Sequence, residues 1–121
     1  VTACGFLAHD TLMAGCSPDG LDAPGMVEIK CPKTATHVGY LRGGVVPSTY
    51  LPQITHNLWI TGSDWCDFVS YDPRLPERLQ LFVARVLAKD IDMAAYDGLA
   101  RAFLAEVDAE VAALTALAEE R

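Results

Sequence analysis

The chain has 121 residues and 51% of them are hydrophobic, which suits one domain, residues 1–121, with a core of its own. No apolar run approaches the roughly 20 residues that a membrane-spanning helix needs, so we expect no membrane association. The formal net charge of −7 argues against a protein that coats DNA through general electrostatics, so any binding of a phosphate-bearing partner must be local.

The first third of the chain predicts strands. Residues 4–21 favour two short strands with a turn near His9–Thr11. The stretch SPDG at 17–20 is typical of a turn, because proline presets φ and Asp-Gly supplies a bend. The run MVEIKC at 26–31 is the clearest strand, and Pro32 ends it.

Two helices are predicted next. Residues 34–44 favour a short helix that stops at Gly43–Gly44. Residues 47–62 favour a second helix, with Ser48 or Thr49 as its cap, Pro52 in its first turn and Gly62 at its end. Its apolar stripe consists of Leu51, Ile54, Leu58 and Trp59.

The last part predicts two strands and a long helix. Residues 65–72 and 79–88 favour strands, and Tyr71–Arg74 favours a tight turn after the first of them. From Asp90 onward, apolar residues recur at three- and four-residue steps, which indicates a helix packed on the sheet with a possible role between subunits. These residues are Leu99, Phe103, Val107, Val111, Leu114 and Leu117. The order β-β-β-α-α-β-β-α predicts an α+β or mixed α/β fold.

The four cysteines indicate a reducing compartment. They are Cys4, Cys16, Cys31 and Cys66, and no two of them form a C-x-x-C pair, which argues against a zinc site. A disulfide between Cys16 and Cys31 would require that they face each other across a hairpin. Since nothing else is typical of a secreted protein, we expect reduced thiols, a buried and inert Cys31, and a cytoplasmic location.

The stretch CSPDGLDAPGMVEIKCP, residues 16–32, contains Asp19, Glu28 and Lys30, three charged residues that can lie close together. Residues two apart on a strand share a face, so Glu28 and Lys30 are expected to point the same way. The same rule directs Val27 and Ile29 into the core. A hairpin can bring Asp19 beside Glu28.

Such a cluster has two interpretations. Two carboxylates and the backbone carbonyl of Ile29 would form a hard oxygen site that suits Mg²⁺ or Mn²⁺. The ion would activate a water for attack on a phosphodiester, and Lys30 would orient or deprotonate that water or stabilise the transition state. The alternative is a surface ion pair on a β-hairpin, which contributes little stability. The spacing alone does not decide between them.

Five motifs then occur in a fixed order: SPDGL at 17–21, EIKCP at 28–32, YLPQ at 50–53, LWITG at 58–62 and YDPR at 71–74. This set resembles the PD-(D/E)xK nuclease superfamily. More narrowly, it resembles the phage-type alkaline exonucleases of the lambda exonuclease or YqaJ-like viral recombinase family. The resemblance covers most of the chain and implies a restriction-endonuclease-like core, with a central mixed sheet flanked by helices.

The resemblance implies a Mg²⁺- or Mn²⁺-dependent exonuclease that acts 5′ to 3′ on double-stranded DNA ends in phage-type recombination. Asp19 and Glu28 would bind the metal together with the carbonyl of Ile29, Lys30 would be the catalytic lysine, and Gln53 the helix glutamine near the active site. The implied partners are DNA, a single-strand annealing protein and further copies of the chain, with a trimer as the best-known assembly. The implied location is the cytoplasm of a bacterium or phage-infected host.

The chain departs from the family pattern at its start. Family members carry an N-terminal arginine that holds the 5′ phosphate and a helix glutamate near the metal, and no residue before Asp19 can be assigned to either role. Because the chain also begins with Val1, it resembles the C-terminal part of such a nuclease. Two rival functions remain: a restriction- or repair-type endonuclease, and an inactive fragment that serves as an assembly module.

Several other side chains are candidates for contact with DNA. Lys33 and Arg42 flank the strand exit and could bind phosphates, although solvated charges are an equal alternative. Gln53 and His56 share a helix face, and His56 could touch DNA or a metal-bound water; a surface or half-buried histidine is the alternative.

The remaining histidines and aromatic residues favour structural roles. His9 and His37 are expected to be structural or exposed. Four aromatic residues are expected in the core rather than in a base-stacking platform, namely Trp59, Trp65, Phe68 and Tyr71.

Overall fold

A four-stranded mixed sheet lies at the centre of the computed structural model, which describes all 121 residues. The strands are β1 (Leu7–Ala8), β2 (Gly15–Cys16), β3 (Gly20–Asp22), β4 (Gly25–Lys30), β5 (Trp65–Tyr71) and β6 (Leu81–Leu87). The helices are α1 (Thr34–Gly43), α2 (Leu51–Thr61) and α3 (Met93–Glu119).

The sheet has the order β3-β4-β5-β6, and β1 and β2 form a separate two-stranded ribbon. The outer pairs are antiparallel, whereas β4 and β5 are parallel. Parallel neighbours need a connection that leaves the sheet, and α1 and α2 together supply it. The predicted mixed sheet with flanking helices is therefore confirmed.

The hydrophobic core lies between one face of the sheet and the helices. It consists of Met26, Ile54, Leu58, Cys66, Phe68 and Phe82, all of which are buried. On the other face of β6, Leu81 and Val83 are 56% and 50% exposed. Helices α1 and α2 thus cover a single face of the sheet, and that face carries every second residue of β4 and β5.

The predicted direction of the β4 side chains is only half correct. Glu28 and Lys30 do share a face, but it is the face that Met26 and the helices occupy, and Glu28 is only 3% exposed. Val27 is buried on the opposite face, while Ile29 is 45% exposed rather than in the core. Alternation fixes which residues share a face but not which face is covered, and this strand carries apolar residues on both.

The first strand region and the start of α2 also differ from prediction. The sequence indicated three strands before α1, but the structure has a fourth, β3, whose three residues are too few to show alternation. Ser48 and Thr49 do not cap α2, because they lie in a 3₁₀ turn, and Tyr50 precedes the helix without a side-chain cap.

The predicted helix ends and histidine roles are confirmed. Gly44 and Gly62, with φ of 69° and 66°, adopt the left-handed conformation and end α1 and α2. His37 is fully buried, and its two ring nitrogens contact the hydroxyl of Ser70 and the carbonyl of Leu79 at 2.7 and 2.8 Å. His9 is half-buried, with its ring 5.0 Å from that of Trp59.

The four aromatic residues that were predicted to lie in the core differ in how far they are buried. Phe68 is fully buried in the core, as predicted. Trp59 and Trp65 are half-buried, and the Arg85 guanidinium lies 3.7 Å from the ring centre of Trp65. Tyr71 is 39% exposed, so its predicted place in the core is wrong.

The long helix α3 is present as predicted, but of its residues only the first, Met93, packs against the core. Its N-cap Asp92 accepts a hydrogen bond from the backbone N–H of Ala95 at 3.0 Å, and its first turns contact α2. Beyond them, the apolar stripe is open: Leu99 is 71% and Phe103 63% exposed. The periodicity identified the helix correctly, but it could not tell what the stripe covers. No helix of the structure is both long and apolar enough to cross a membrane.

All four cysteines are free thiols. Cys16 and Cys66 are buried, and desolvation is the main reason that their pKa values rise to about 11 and about 12. Cys31 is exposed, so the expectation that it is buried is wrong. Cys31 lies directly after the last residue of β4, Lys30, and directly before Pro32.

The predicted tight turn after β5 is built around a buried carboxylate. Asp72 is fully buried, and its Oδ1 accepts hydrogen bonds from the backbone N–H and the Nε of Arg74, at 3.0 and 2.8 Å. The same arginine donates from Nη2 to the carbonyl of Pro32 at 2.9 Å. The turn therefore joins the exits of β4 and β5.

The pKa of Asp72 gives a testable pH dependence. The hydrogen bonds from Arg74 are the main reason that this pKa falls to about 2 from its ordinary value of 3.8. Because the folded-state pKa is depressed, the stabilisation is complete above pH 4 and is lost as the pH falls through about 2. We expect Asp72→Asn to have a lower Tm than wild type at pH 7, and the two curves to converge towards pH 2.

Circular dichroism melts across this pH range would measure the effect, with the exposed Asp108→Asn as a control that leaves the Tm unchanged. A constant difference between wild type and Asp72→Asn at all pH values would contradict the assignment.

Candidate active site

The candidate site lies at the C-terminal end of β4, where Glu28 and Lys30 extend from the covered face of the sheet. The Nζ of Lys30 is 3.7 Å from Oε2 of Glu28, with the lysine side chain 26% and the glutamate 3% exposed. This pair is therefore not the surface ion pair of the alternative interpretation. It has one partner in the core and one at the solvent boundary.

Asp19 reaches the same end of β4 from the turn before β3. Its Oδ2 accepts a hydrogen bond from the backbone N–H of Ile29 at 2.7 Å. β3 pairs with β4 only as far as Gly20 and Val27, so this edge of β4 is open at Ile29. Since the N–H and C=O of one strand residue point to the same side, the carbonyl of Ile29 is directed towards the edge that Asp19 occupies.

Helix α2 provides two amides to the glutamate. Gln53 donates from Nε2 to Oε2 of Glu28 at 3.3 Å, and Asn57 donates from Nδ2 to Oε1 at 2.9 Å. Gln53 is brought to the site as predicted, but Asn57 was missed. The sequence did contain a signal for Asn57: it comes four residues after Gln53, and residues four apart on a helix lie one above the other.

Tyr50 is a second residue that the sequence analysis missed. The Nζ of Lys30 lies 4.9 Å from the centre of the Tyr50 ring, a cation–π distance. The ring itself packs against Phe68, with centroids 5.2 Å apart. The ammonium of Lys30 is therefore held between an aromatic face and a carboxylate.

The electrostatics of the site disfavour an isolated pair of carboxylates. Burial raises the pKa of Glu28, and the neighbouring Asp19 raises it further. Lys30 and the hydrogen bond from Asn57 act in the opposite direction. A cation between the two acids would remove the repulsion that raises this pKa.

The donor set fits a hard cation such as Mg²⁺. Asp19 and Glu28 offer carboxylate oxygens, and Ile29 offers a carbonyl on the same edge. The chain has no group of three or more His, Cys, Asp or Glu side chains that could hold a metal ion. Water would complete the coordination, which Mg²⁺ tolerates because it dehydrates reluctantly.

The other predicted DNA contacts lie apart from this centre. Lys33 is exposed and directly precedes α1, close to the end of β4, whereas Arg42 is in the last turn of α1, about 13 Å further along its axis. His56 has both ring nitrogens occupied, by the hydroxyl of Tyr96 at 2.7 Å and the carbonyl of Gly15 at 2.9 Å. His56 thus joins α2 to α3 and β2, and its contact with DNA stays a prediction.

The fold is that of a PD-(D/E)xK nuclease core. An alkaline exonuclease from Laribacter hongkongensis (LHK-Exo) has a solved structure that matches 99% of this chain, with a TM-score of 0.91 and 41% identity. Its complex with dAMP matches with a TM-score of 0.89. The chain spans 63% of the length of that exonuclease.

A family model agrees with the structural match. The model of the YqaJ-like viral recombinase domain matches residues 1–64, slightly more than half of the chain. The chain belongs to the YqaJ-like viral recombinase family. A search of curated proteins gave no match.

The raised pKa of Glu28 predicts a conflict between stability and site chemistry. In metal-free buffer at neutral pH, the ionised form of a buried acid with a raised pKa destabilises the fold, and this cost disappears as the pH falls. We therefore expect the Tm of wild type in EDTA to rise relative to that of Glu28→Gln as the pH is lowered from 7. Thermal melts of both proteins measure it, and a Tm difference that does not change with pH would contradict this electrostatic account.

Proposed function

We propose that this chain forms the core of a Mg²⁺-dependent exonuclease that hydrolyses phosphodiester bonds at double-stranded DNA ends, 5′ to 3′, in phage-type recombination. The observation that carries the proposal is the convergence of Asp19, Glu28 and Lys30 at one end of β4. The 41% identity to a protein described as an alkaline exonuclease supports the same activity.

Each residue of the site has a distinct part in the proposed reaction. Asp19, Glu28 and the carbonyl of Ile29 would hold the ion. When bound, Mg²⁺ would lower the pKa of a coordinated water and neutralise charge on the scissile phosphate. Lys30, fixed by Glu28 and Tyr50, would donate a hydrogen bond to the attacking water or to a phosphate oxygen as negative charge develops there.

The groups around the site fit a phosphodiester substrate. Lys33 is exposed beside the end of β4 and is available to a backbone phosphate. The overall charge of −7 repels DNA at long range, so binding would depend on such local contacts. We further propose a cytoplasmic location, which suits four free thiols, and a single-strand annealing protein as partner in recombination.

Digestion of linear DNA tests the proposed reaction. With Mg²⁺ and 5′-phosphorylated linear duplex, we expect the full-length protein to release nucleotides, and Lys30→Ala to be at least about 100-fold slower because a positioned charge is lost. Lys89→Ala is the matched control, since Lys89 is exposed and in the turn before α3.

The DNA substrate separates the rival functions. Circular duplex should resist the exonuclease, whereas cleavage of circles would favour a restriction- or repair-type endonuclease. Equal inactivity of wild type and Lys30→Ala would instead favour an assembly module.

We propose that the protein also assembles into a homo-oligomer, with a trimer as the specific expectation. The apolar stripe of α3 supports this, because it is exposed over several turns. Its members are Leu99, Phe103, Val107, Val111, Leu114 and Leu117, each between 39% and 71% exposed. Stripes of this size on a helix surface commonly mark a contact with another chain.

Introducing a charge into the stripe tests this assembly. We expect Phe103→Glu to sediment as a smaller species than wild type, because a buried carboxylate would oppose the contact. Ala105→Glu, on the opposite side of α3, should sediment as wild type does. If Phe103→Glu has the same mass as wild type in sedimentation velocity, this part of α3 is not the interface.

A further inference from the structure

Asn57 is the one amide of the site that is itself enclosed by the core. Its side chain is 4% exposed, and its Nδ2 lies 2.9 Å from Oε1 of Glu28. By contrast, Oε2 of Glu28 faces Gln53 at 3.3 Å and Lys30 at 3.7 Å, and Gln53 is an exposed residue. The shortest contact to the carboxylate thus comes from the most deeply buried of these three neighbours.

The rigidity of Asn57 follows from its neighbours on α2. Ile54 and Leu58 are 0% and 2% exposed and belong to the core cluster, so this part of the helix cannot shift without disturbing the core. Gln53 is exposed, and the Lys30 side chain reaches the solvent boundary. Asn57 is the side-chain donor to Glu28 that is buried in the core, so it is the neighbour best placed to fix the rotation of the carboxylate.

The chemistry of the amide suits this task. An asparagine NH₂ donates to a carboxylate without adding a charge, so it orients Oε1 and leaves further lone pairs of the carboxylate for a cation. A lysine or arginine in this place would compete with a cation through its charge. An apolar residue would leave a buried acid oxygen without a donor.

We propose that Asn57 is a positioning residue that sets the orientation of the Glu28 carboxylate towards the metal ion. The inference rests on the proposed function, because it assumes that Glu28 is a metal ligand. In this role Asn57 makes no contact with DNA. Replacing Asn57 should therefore change the metal affinity and the turnover rate, while the KM for DNA stays the same.

The test compares Mn²⁺ binding by the full-length protein without DNA, measured by calorimetry, for wild type and Asn57→Leu. Leucine has a similar shape and no donor. Loss of a residue that orients a ligand typically weakens metal binding about 10- to 100-fold, and we expect a change of that size. We also expect kcat to fall by a similar factor in Mn²⁺-supported digestion at subsaturating metal.

Matched variants separate orientation from folding. Val86→Ala, on β6, loosens the core without changing α2 and should bind Mn²⁺ within twofold of wild type. If Asn57→Leu does not fold by circular dichroism, Asn57→Ser replaces it, because the serine hydroxyl is too short to reach Oε1. The same loss of affinity is expected.

The outcomes distinguish this inference from the proposed function. If wild type binds Mn²⁺ and degrades DNA, and the folded Asn57 variant does both equally well, the role of Asn57 is overturned and the nuclease remains. If wild type neither binds Mn²⁺ nor degrades DNA, the proposed function fails and the inference fails with it. A rise in the KM for DNA with unchanged Mn²⁺ affinity would place Asn57 in substrate binding and overturn its positioning role.

Discussion

A carboxylate enclosed by a small hydrophobic core must have partners, since its ionised form loses the solvation of water. Glu28 is 3% exposed, and α2 and β4 supply those partners: two amides from the helix and one ammonium from the strand. The contacts connect α2 to β4, in addition to the core packing of the two elements. They also explain why polar residues occur on a helix face that otherwise carries Ile54 and Leu58.

The parallel pairing of β4 and β5 also positions the residues around Glu28 and Lys30. The two strands end at the same edge of the sheet, where Arg74 joins the turn after β5 to Pro32 after β4. Tyr50 rests on Phe68 of β5 and faces Lys30 of β4. The catalytic candidates are therefore held from the strand, the adjacent strand and the helix above them, as preorganised charge stabilisation requires.

Much of this architecture could be predicted from the sequence. Proline, glycine and alternation located β4, β5, β6 and the ends of α1 and α2, because these signals act locally. The ordered motifs located Asp19, Glu28, Lys30 and Gln53. The sequence did not reveal which face of β4 the helices cover, the burial of Glu28, or the open stripe of α3. Those depend on tertiary contacts, which periodicity does not record.

The helix residues that contact Glu28 are distant from it in the sequence, and this distance affects the order of folding events. Gln53 and Asn57 lie 25 and 29 positions from Glu28, with both helices of the crossover partly or wholly between them. Their ordering requires closure of that long loop, which is slow compared with the formation of a helix or hairpin. A chain in which only local elements have formed therefore has no assembled carboxylate site. The contacts of Gln53 and Asn57 with Glu28 should consequently form later in refolding than circular dichroism reports the helices.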